Sequence, residues 1–231
     1  MSAHQITIEV NETETVSGLL QVPARAVVCY VLAHGAGAGM THPFMTAVAE
    51  GLHARRVATL RYQFPYMEHG SKRPDRPALA HAAVRAAVAS AARLTPPLPL
   101  IAGGKSFGAR MTSQAQAQLP LPNVRGLGFL GFPLHPAGKP SDDRAAHLSD
   151  VHIPMLFLQG TRDALADSQV LATVLKRLSP AATSHLIEQA DHSFHVPVRS
   201  GTTDRQVLDN VLDTLVAWAL RICRPPSGPE R

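Results

Sequence analysis

The 231-residue sequence contains only two cysteines, Cys29 and Cys223, and aromatic residues make up just 5% of it. The cysteines are far apart in the chain and form no C-x-x-C pair, so neither a disulfide framework nor a cysteine-based zinc site is expected. No apolar run reaches the ~18 residues that a membrane-spanning helix needs. The start, MSAHQITIEV, lacks a basic stretch followed by an apolar one. We therefore expect no signal peptide and a cytoplasmic protein.

Charged residues are also few, at 17%, whereas apolar residues make up 45%. A chain with this much apolar surface is expected to fold, and an α/β domain of this length buries roughly 70–75% of its unfolded surface. The formal net charge of +5 raises the question of an acidic partner. Because the basic residues are scattered and accompany no recognised binding module, we expect no nucleic-acid binding, and no membrane partner either.

Strand-like and helix-like segments alternate along the chain. The apolar run AVVCYVLA at residues 26–33 is typical of a parallel strand covered on both faces. Hydrophobic periodicity predicts strands at residues 5–10, 16–22, 26–33, 57–62, 98–103, 124–132, 154–158 and 184–187. It predicts helices at 41–55, 78–94, 107–119 and 167–178, and a last helix that begins near Thr203 with a T-x-x-Q capping box.

This alternation predicts an α/β fold with a mostly parallel central sheet and helices on both faces. We expect one domain at residues 1–224, without a cap domain, followed by a flexible tail at 225–231. Ligands of such sheets bind at the carboxyl ends of the strands. The loops that follow strands are therefore the places to search for chemistry.

One such loop, Gly104–Gly108, reads G-K-S-F-G and joins a predicted strand to a predicted helix. A G-x-S-x-G turn in this position presents its serine at a sharp bend, and the flanking glycines remove side chains that would clash there. The following helix directs its N-terminus, which favours negative charge, toward the serine. Ser106 is thus the candidate nucleophile, with an ordinary turn and a surface serine as the alternative.

The loop HGAGAG, at residues 34–39, follows the strand 26–33. An N–H from Ala36 or Gly37, together with the N–H of Phe107, would form an oxyanion hole. A phosphate-binding loop is the rival interpretation, but neither G-x-G-x-x-G nor G-x-x-x-x-G-K-[ST] occurs. His34 is expected to be structural.

Two later loops supply a candidate acid and a candidate base. In FLQGTRD, Asp163 follows a buried strand and is placed to orient a histidine, with Asp167 as the fallback. In ADHSFH, His192 is favoured over His195 as the general base. A metal pair of His192 and His195 lacks a third ligand at suitable spacing, so no metal and no cofactor are expected.

Ser106, Asp163 and His192 occur in the chain order of the α/β-hydrolases. With HGAGAG, GGKSFGAR, FLQGTRD and ADHSFH, the sequence resembles serine α/β-hydrolases over about Val16 to Leu220. It is most similar to small, lidless dienelactone-hydrolase-like proteins, and particularly to the branch that includes the hydrolase-like domain of a chromatin NSL-complex subunit. Dienelactone hydrolases proper use cysteine where this chain has Ser106, which argues against dienelactone as its substrate.

The resemblance implies an ester hydrolase with Ser106 as nucleophile, His192 as base and Asp163 as acid, acting on a small-molecule ester or thioester. The same loops supply the expected substrate-binding residues, with ordinary packing as the alternative for each. These residues are Met40, Phe64, Tyr66, Met67, Phe132 and His195. Lys105 and Arg110 flank the nucleophile and would favour anionic acyl groups if they faced the pocket. We prefer to interpret them as surface charges that face away from it. The alternative function is a catalytically silent interaction module that keeps the fold.

Overall fold

A computed structural model describes residues 3–224 and shows eight strands and six α-helices. The strands are β1 (His4–Glu9), β2 (Thr15–Gln21), β3 (Val28–Ala33), β4 (Val57–Tyr62), β5 (Leu100–Lys105), β6 (Val124–Leu130), β7 (Met155–Gly160) and β8 (Ala182–Ile187). The helices are α1 (Pro43–Ala54), α2 (Pro65–Glu68), α3 (Pro77–Leu94), α4 (Phe107–Gln118), α5 (Ser168–Leu178) and α6 (Asp204–Cys223). The predicted tail at 225–231 lies outside the described residues.

The strands form one sheet in the order β1-β2-β4-β3-β5-β6-β7-β8. β1 and β2 are antiparallel to their neighbours, and the six strands from β4 to β8 in this order are parallel. Every residue of β3, β4 and β7 is buried, and the sequence VCYVLA of β3 is typical of a parallel strand covered on both faces. The predicted mostly parallel sheet is thus confirmed.

Helices cover both faces of the sheet. On one face α1 and α6 contribute side chains such as Val48 and Leu212 to a core beneath β3 and β6. On the other face α3, α4 and α5 contribute side chains such as Val84, Met111 and Val174 to a second core. Each helix buries one apolar stripe, so the carboxyl edge of the parallel strands stays open between the two layers.

Helix starts follow local capping chemistry. Thr203 and Gln206 form the predicted capping box of α6. The prediction that Thr41 caps α1 is wrong, because His42 Nδ1 accepts the Phe44 N–H at 3.2 Å and the helix begins at Pro43. Proline suits a first helical position, where its missing N–H is not needed.

The long connection between β6 and β7 is partly helical. It contains a 3₁₀ segment, Asp143–Asp150, that packs against α4. The four-residue helix α2 was not predicted. Within residues 3–224 no cap domain covers the carboxyl edge, and none of the helices is long and apolar enough to cross a membrane.

Candidate active site

The loop between β5 and α4 holds Ser106 in a strained backbone conformation. Its φ is +52° and its ψ is −109°, a region that residues with a side chain rarely occupy. α4 starts at the next residue, Phe107, so the N-terminal N–H groups of the helix lie beside the serine. The strain places the hydroxyl at the carboxyl edge of the sheet.

Two glycines allow this turn because the chain passes against the end of β3. A Cβ on Gly104, whose φ is +152°, would lie 2.2 Å from the carbonyl oxygen of Ala33. A Cβ on Gly108 would lie 2.6 Å from the carbonyl oxygen of His34. The glycines of the G-x-S-x-G motif are therefore required by contact with the neighbouring strand as well as by conformation.

The structure brings Ser106, His192 and Asp163 together. His192 Nε2 lies 2.8 Å from Ser106 Oγ, and His192 Nδ1 lies 2.6 Å from Asp163 Oδ2. The Asp163 side chain is fully buried, whereas 24% of the His192 side chain is exposed. A buried carboxylate that accepts from Nδ1 leaves Nε2 free to accept a proton from the serine.

Gln159 supports Asp163, and sequence reasoning missed it. The Gln159 amide donates to Asp163 Oδ2, and its carbonyl accepts the Phe132 N–H at 2.8 Å. The Leu165 N–H donates to the other Asp163 oxygen at 2.8 Å. The signal was a glutamine at the end of the otherwise apolar strand MLFLQG, since a buried polar group needs partners.

The loop at residues 34–39 approaches Ser106 from β3. The Gly37 N–H donates to the Tyr66 hydroxyl at 2.9 Å, and the Ala38 N–H donates to the Gly35 carbonyl at 3.2 Å. Among residues 3–224, neither the Ala36 N–H nor the Phe107 N–H has a hydrogen-bond acceptor. The sequence left Ala36 and Gly37 as alternative donors to the oxyanion hole. The Gly37 N–H is bonded to Tyr66, so the Ala36 N–H is the free one.

His34 holds this loop to the chain after β4. The Phe64 N–H donates to His34 Nε2 at 3.1 Å, so the ring proton lies on Nδ1, which donates to the Gly35 carbonyl at 2.7 Å. The ring is buried, and burial lowers the pKa of His34 to about 4. His34 is structural, as expected.

Lys105 is not a surface charge, and that interpretation was wrong. Its Nζ donates to the His192 carbonyl at 2.5 Å and lies 5.9 Å and 5.5 Å from the ring centres of Phe44 and Phe194. Burial lowers the pKa of Lys105 to about 8, although Asp163 and Asp191 act in the opposite direction. Lys105 therefore ties the His192 loop to the end of β5.

Ser106 lies where two cavities meet. The Lys105 cavity, of about 280 Å³, is lined by Lys105, His192, Ser193 and residues of α1. The Arg110 cavity, of about 400 Å³, is lined by Arg110, Met111 and residues that follow α2 and β6. Both contain Ala36, Ser106 and Leu165. A larger cleft of about 680 Å³ lies between α1 and α6 and contains none of the three candidate catalytic residues.

The structure places the six residues expected to bind substrate outside the linings of both cavities. Met40, Phe64, Tyr66 and Phe132 are instead buried in the core. Tyr66 acts on the site through the Gly37 N–H, while His195 is exposed and pairs with Asp204 at 2.8 Å. The six are Met40, Phe64, Tyr66, Met67, Phe132 and His195.

The alternatives to the candidate acid and base have other partners. Asp167 caps α5 by accepting the N–H groups of Gln169 and Val170 at 2.9 Å and 3.0 Å. The hydrogen bond that His195 Nδ1 donates to Asp204 raises the pKa of His195. Among residues 3–224 no group of three or more histidine, cysteine or acidic side chains is arranged to hold a metal ion.

Residues 26–220 match the family model described as an alpha/beta hydrolase domain. The match covers well over half of the chain, so the protein belongs to this family.

Solved structures share the whole fold. A dienelactone hydrolase from Anabaena variabilis is 22% identical, with a TM-score of 0.77 over 96% of this chain and 99% of that one. A lidless α/β serine hydrolase from Xanthomonas campestris is 19% identical, with a TM-score of 0.72 over 98% of each chain. Est1E from Butyrivibrio proteoclasticus is 14% identical, with a TM-score of 0.69 over 93% of this chain and 98% of that one. At these identities the likeness establishes an α/β-hydrolase fold.

The close contact between α4 and the end of β3 predicts that a methyl group added at Gly108 lowers the stability of the protein. Gly108→Ala should lower the free energy of unfolding by about 1–3 kcal/mol, the usual cost of overpacking, because its Cβ would meet backbone atoms. The matched change Gly35→Ala should cost much less, because its Cβ would lie 3.5 Å from the nearest atom. Urea unfolding of both variants measures this, and equal losses would contradict the argument.

His34 predicts a pH dependence of stability. Its pKa in the folded chain is about 4, below the ordinary 6.5, so between these values the unfolded chain binds a proton that the folded chain does not. Stability should therefore fall as pH falls from 6.5 toward 4, by up to about 1.4 kcal/mol per pH unit for one such group. His147, with a pKa of about 4, adds to the slope.

In His34→Gln the slope of unfolding free energy against pH should be shallower than in the wild type, with the remainder due to His147. The exposed His152→Gln should keep the wild-type slope. Urea unfolding at intervals from pH 7 to pH 4.5 gives all three slopes. A slope in His34→Gln as steep as in the wild type would show that His34 is not held neutral by the fold.

Proposed function

We propose that this protein hydrolyses small or short-chain carboxylic esters or thioesters through an acyl-enzyme on Ser106. The observation that carries the proposal is the unbroken chain of hydrogen bonds from Ser106 Oγ through His192 to the buried Asp163. The strained φ of Ser106 is the second support, because a turn that serves only as a connection has no need of it.

In the first step His192 Nε2 takes the Ser106 proton while Oγ attacks the carbonyl carbon of the ester. Asp163 keeps the Nδ1 proton in place and stabilises the positive charge that forms on the imidazole. His192 then gives the proton to the leaving alcohol or thiol. Water repeats the sequence on the acyl-enzyme, which releases the carboxylic acid and restores Ser106.

The negative charge that develops on the carbonyl oxygen needs fixed donors. The Phe107 and Ala36 N–H groups flank Ser106 and have no hydrogen-bond acceptor among residues 3–224, so both remain available to a substrate oxygen. The Gly37 N–H is engaged by Tyr66 and serves instead to fix the loop. We therefore assign the oxyanion hole to Phe107 and Ala36.

The two cavities receive the two parts of the ester. His192 must reach the leaving oxygen to protonate it, and His192 lines the Lys105 cavity but not the Arg110 cavity. The alcohol or thiol portion therefore occupies the Lys105 cavity, and the acyl portion occupies the Arg110 cavity. Cavities of about 280 Å³ and 400 Å³ favour small substrates over long-chain lipids.

Loss of the nucleophile is the first test. Ser106→Ala should reduce kcat for hydrolysis of p-nitrophenyl acetate and p-nitrophenyl butyrate by about a thousandfold or more. The group that forms the acyl-enzyme is gone, and only the oxyanion hole and substrate binding still contribute. The exposed Ser184→Ala serves as the matched control and should retain wild-type kcat/KM. The release of p-nitrophenolate at 400 nm is measured.

Turnover by Ser106→Ala equal to that of the wild type would refute the assignment of the nucleophile. Failure of the folded wild type to hydrolyse either ester would favour the alternative, a catalytically silent interaction module.

The Tyr66 hydroxyl offers a test of the oxyanion loop. Tyr66→Phe keeps the ring that packs 6.2 Å from Phe107 but leaves the Gly37 N–H without its acceptor. We expect kcat to fall by about 3- to 10-fold, less than the ~100-fold or more lost with an oxyanion donor itself, and KM to change little.

Tyr62→Phe is the matched control, because the Tyr62 hydroxyl forms no hydrogen bond with residues 34–39. Steady-state kinetics on p-nitrophenyl butyrate compare the two variants. If Tyr66→Phe keeps the wild-type kcat, the hydrogen bond to Gly37 does not position the loop for catalysis.

A further inference from the structure

The wall of the Arg110 cavity carries two arginines beside the candidate nucleophile. Arg110 lies in the first turn of α4, where its N–H donates to the Ser106 carbonyl at 3.1 Å. Arg144 reaches the same cavity from the 3₁₀ segment Asp143–Asp150. Met111, Pro133 and Leu165 provide apolar walls between them and Ser106. The cavity thus contains apolar side chains as well as two basic side chains beside Ser106.

Neither arginine side chain is satisfied by the protein. Within residues 3–224, neither guanidinium forms an ion pair or a hydrogen bond, and the Arg110 Nε is buried without a partner. By contrast, Arg55 and Arg177 each pair with an aspartate at 2.6 Å. A buried donor without an acceptor is costly, and Arg144 brings to the same cavity a second guanidinium that is unpaired within residues 3–224. The cavity is therefore suited to a ligand that accepts hydrogen bonds from arginine.

The surroundings leave the positive charge uncompensated. Burial and then the neighbouring charge of Arg144 lower the pKa of Arg110. The two acids that precede Arg144 in the chain are engaged elsewhere: Asp142 pairs with Arg177, and Asp143 accepts from Ser141 at 3.1 Å. Burial and then Arg110 lower the pKa of His147 to about 4, so this neighbour is neutral near pH 7.

Asp75 is the acid that lines the same cavity. Its Oδ2 accepts the Tyr66 N–H at 3.1 Å, and burial raises its pKa. The charges that act on Asp75 are those of Glu14 and His69 rather than those of the arginines. Asp75 therefore belongs to the α2 side of the cavity and does not neutralise the basic side.

We propose that Arg110 and Arg144 form a subsite for an anionic group at the far end of the substrate's acyl chain. The inference rests on the proposed function, which places the acyl portion in the Arg110 cavity. The substrate class is then half-esters and half-thioesters of short diacids, in which an apolar spacer separates the scissile carbonyl from a carboxylate or a phosphonate. Arginine binds both anions in a bidentate manner.

The test compares substrates that differ in one terminal group. Monomethyl glutarate and methyl 4-phosphonobutanoate carry the anion, and methyl pentanoate is the neutral partner of similar length. Hydrolysis of each ester is measured by pH-stat titration of the released acid. The readout is the ratio of kcat/KM for each anionic ester to kcat/KM for methyl pentanoate. We expect a ratio of at least about ten for one of the anionic esters, since hydrogen bonds to an ionised group are roughly twice as strong as those between neutral groups. The larger ratio identifies the preferred anion.

Three variants locate the effect. Arg110→Gln and Arg144→Gln should each reduce the ratio toward one, whatever their effect on methyl pentanoate itself. Arg144 lies in the 3₁₀ segment and is the more peripheral of the two arginines. If Arg110→Gln does not fold, the kcat/KM ratio of Arg144→Gln still tests the subsite. The exposed Arg93→Gln removes the same charge at the end of α3 and should keep the wild-type ratio. If this kcat/KM ratio falls in all three variants, including Arg93→Gln, the preference comes from general charge steering. That result would overturn the subsite.

A binding measurement separates failure of the subsite from failure of the proposed function. Calorimetry with monomethyl glutarate and with methyl 4-phosphonobutanoate on Ser106→Ala, and on Ser106→Ala/Arg110→Gln and Ser106→Ala/Arg144→Gln, needs no turnover. Binding that both second substitutions weaken at least about tenfold supports the subsite even if no ester is hydrolysed. Hydrolysis of methyl pentanoate without any preference for the anionic esters, or absence of binding by Ser106→Ala, would overturn it.

Discussion

At the carboxyl end of β5 the backbone turns from strand to helix while Gly104 and Gly108 both lie against the end of β3. A methyl group at either position would meet the backbone of Ala33 or His34. The turn has no room to relax, and Ser106 stays at a positive φ with its side chain at the sheet edge. The loop after β3 is held by the same contact, so Ala36 and Phe107 line the same cavity as Ser106. The geometry that we interpret as catalytic follows from this close approach.

Buried hydrogen bonds fix the positions of Asp163 and His192 relative to this turn. Asp163 is held by Gln159 and by the Leu165 N–H, and it fixes the Nδ1 side of His192. Lys105, one residue before the serine, holds the His192 carbonyl. The strand that carries Ser106 therefore also positions the base. Arg110, one helical turn after the serine, breaks this pattern, because its side chain lines a cavity and its guanidinium has no hydrogen-bond or ion-pair partner in the described part of the chain.

Much of the fold could be predicted from the sequence, because strands such as AVVCYVLA and helices with periodic apolar residues are locally encoded. The G-x-S-x-G turn and the order Ser106, Asp163, His192 were also visible, since each lies directly after a strand. The cavity linings were not, because they depend on which way a side chain points where several loops meet: Phe64 and Phe132 point into the core instead. The burial of Lys105 and the capture of the Gly37 N–H by Tyr66 depend on contacts across 87 and 29 positions, which no local pattern encodes.

The central claim is that Ser106 is an activated nucleophile, and the site of covalent attachment tests it most directly. The folded wild-type chain is treated with a fluorophosphonate, which reacts with serines that a neighbouring base activates, and the modified peptide is mapped by mass spectrometry. The account predicts one adduct per chain, on Ser106, that disappears when the chain is unfolded in urea before treatment. An adduct on another residue, or no adduct on the folded chain, would contradict it.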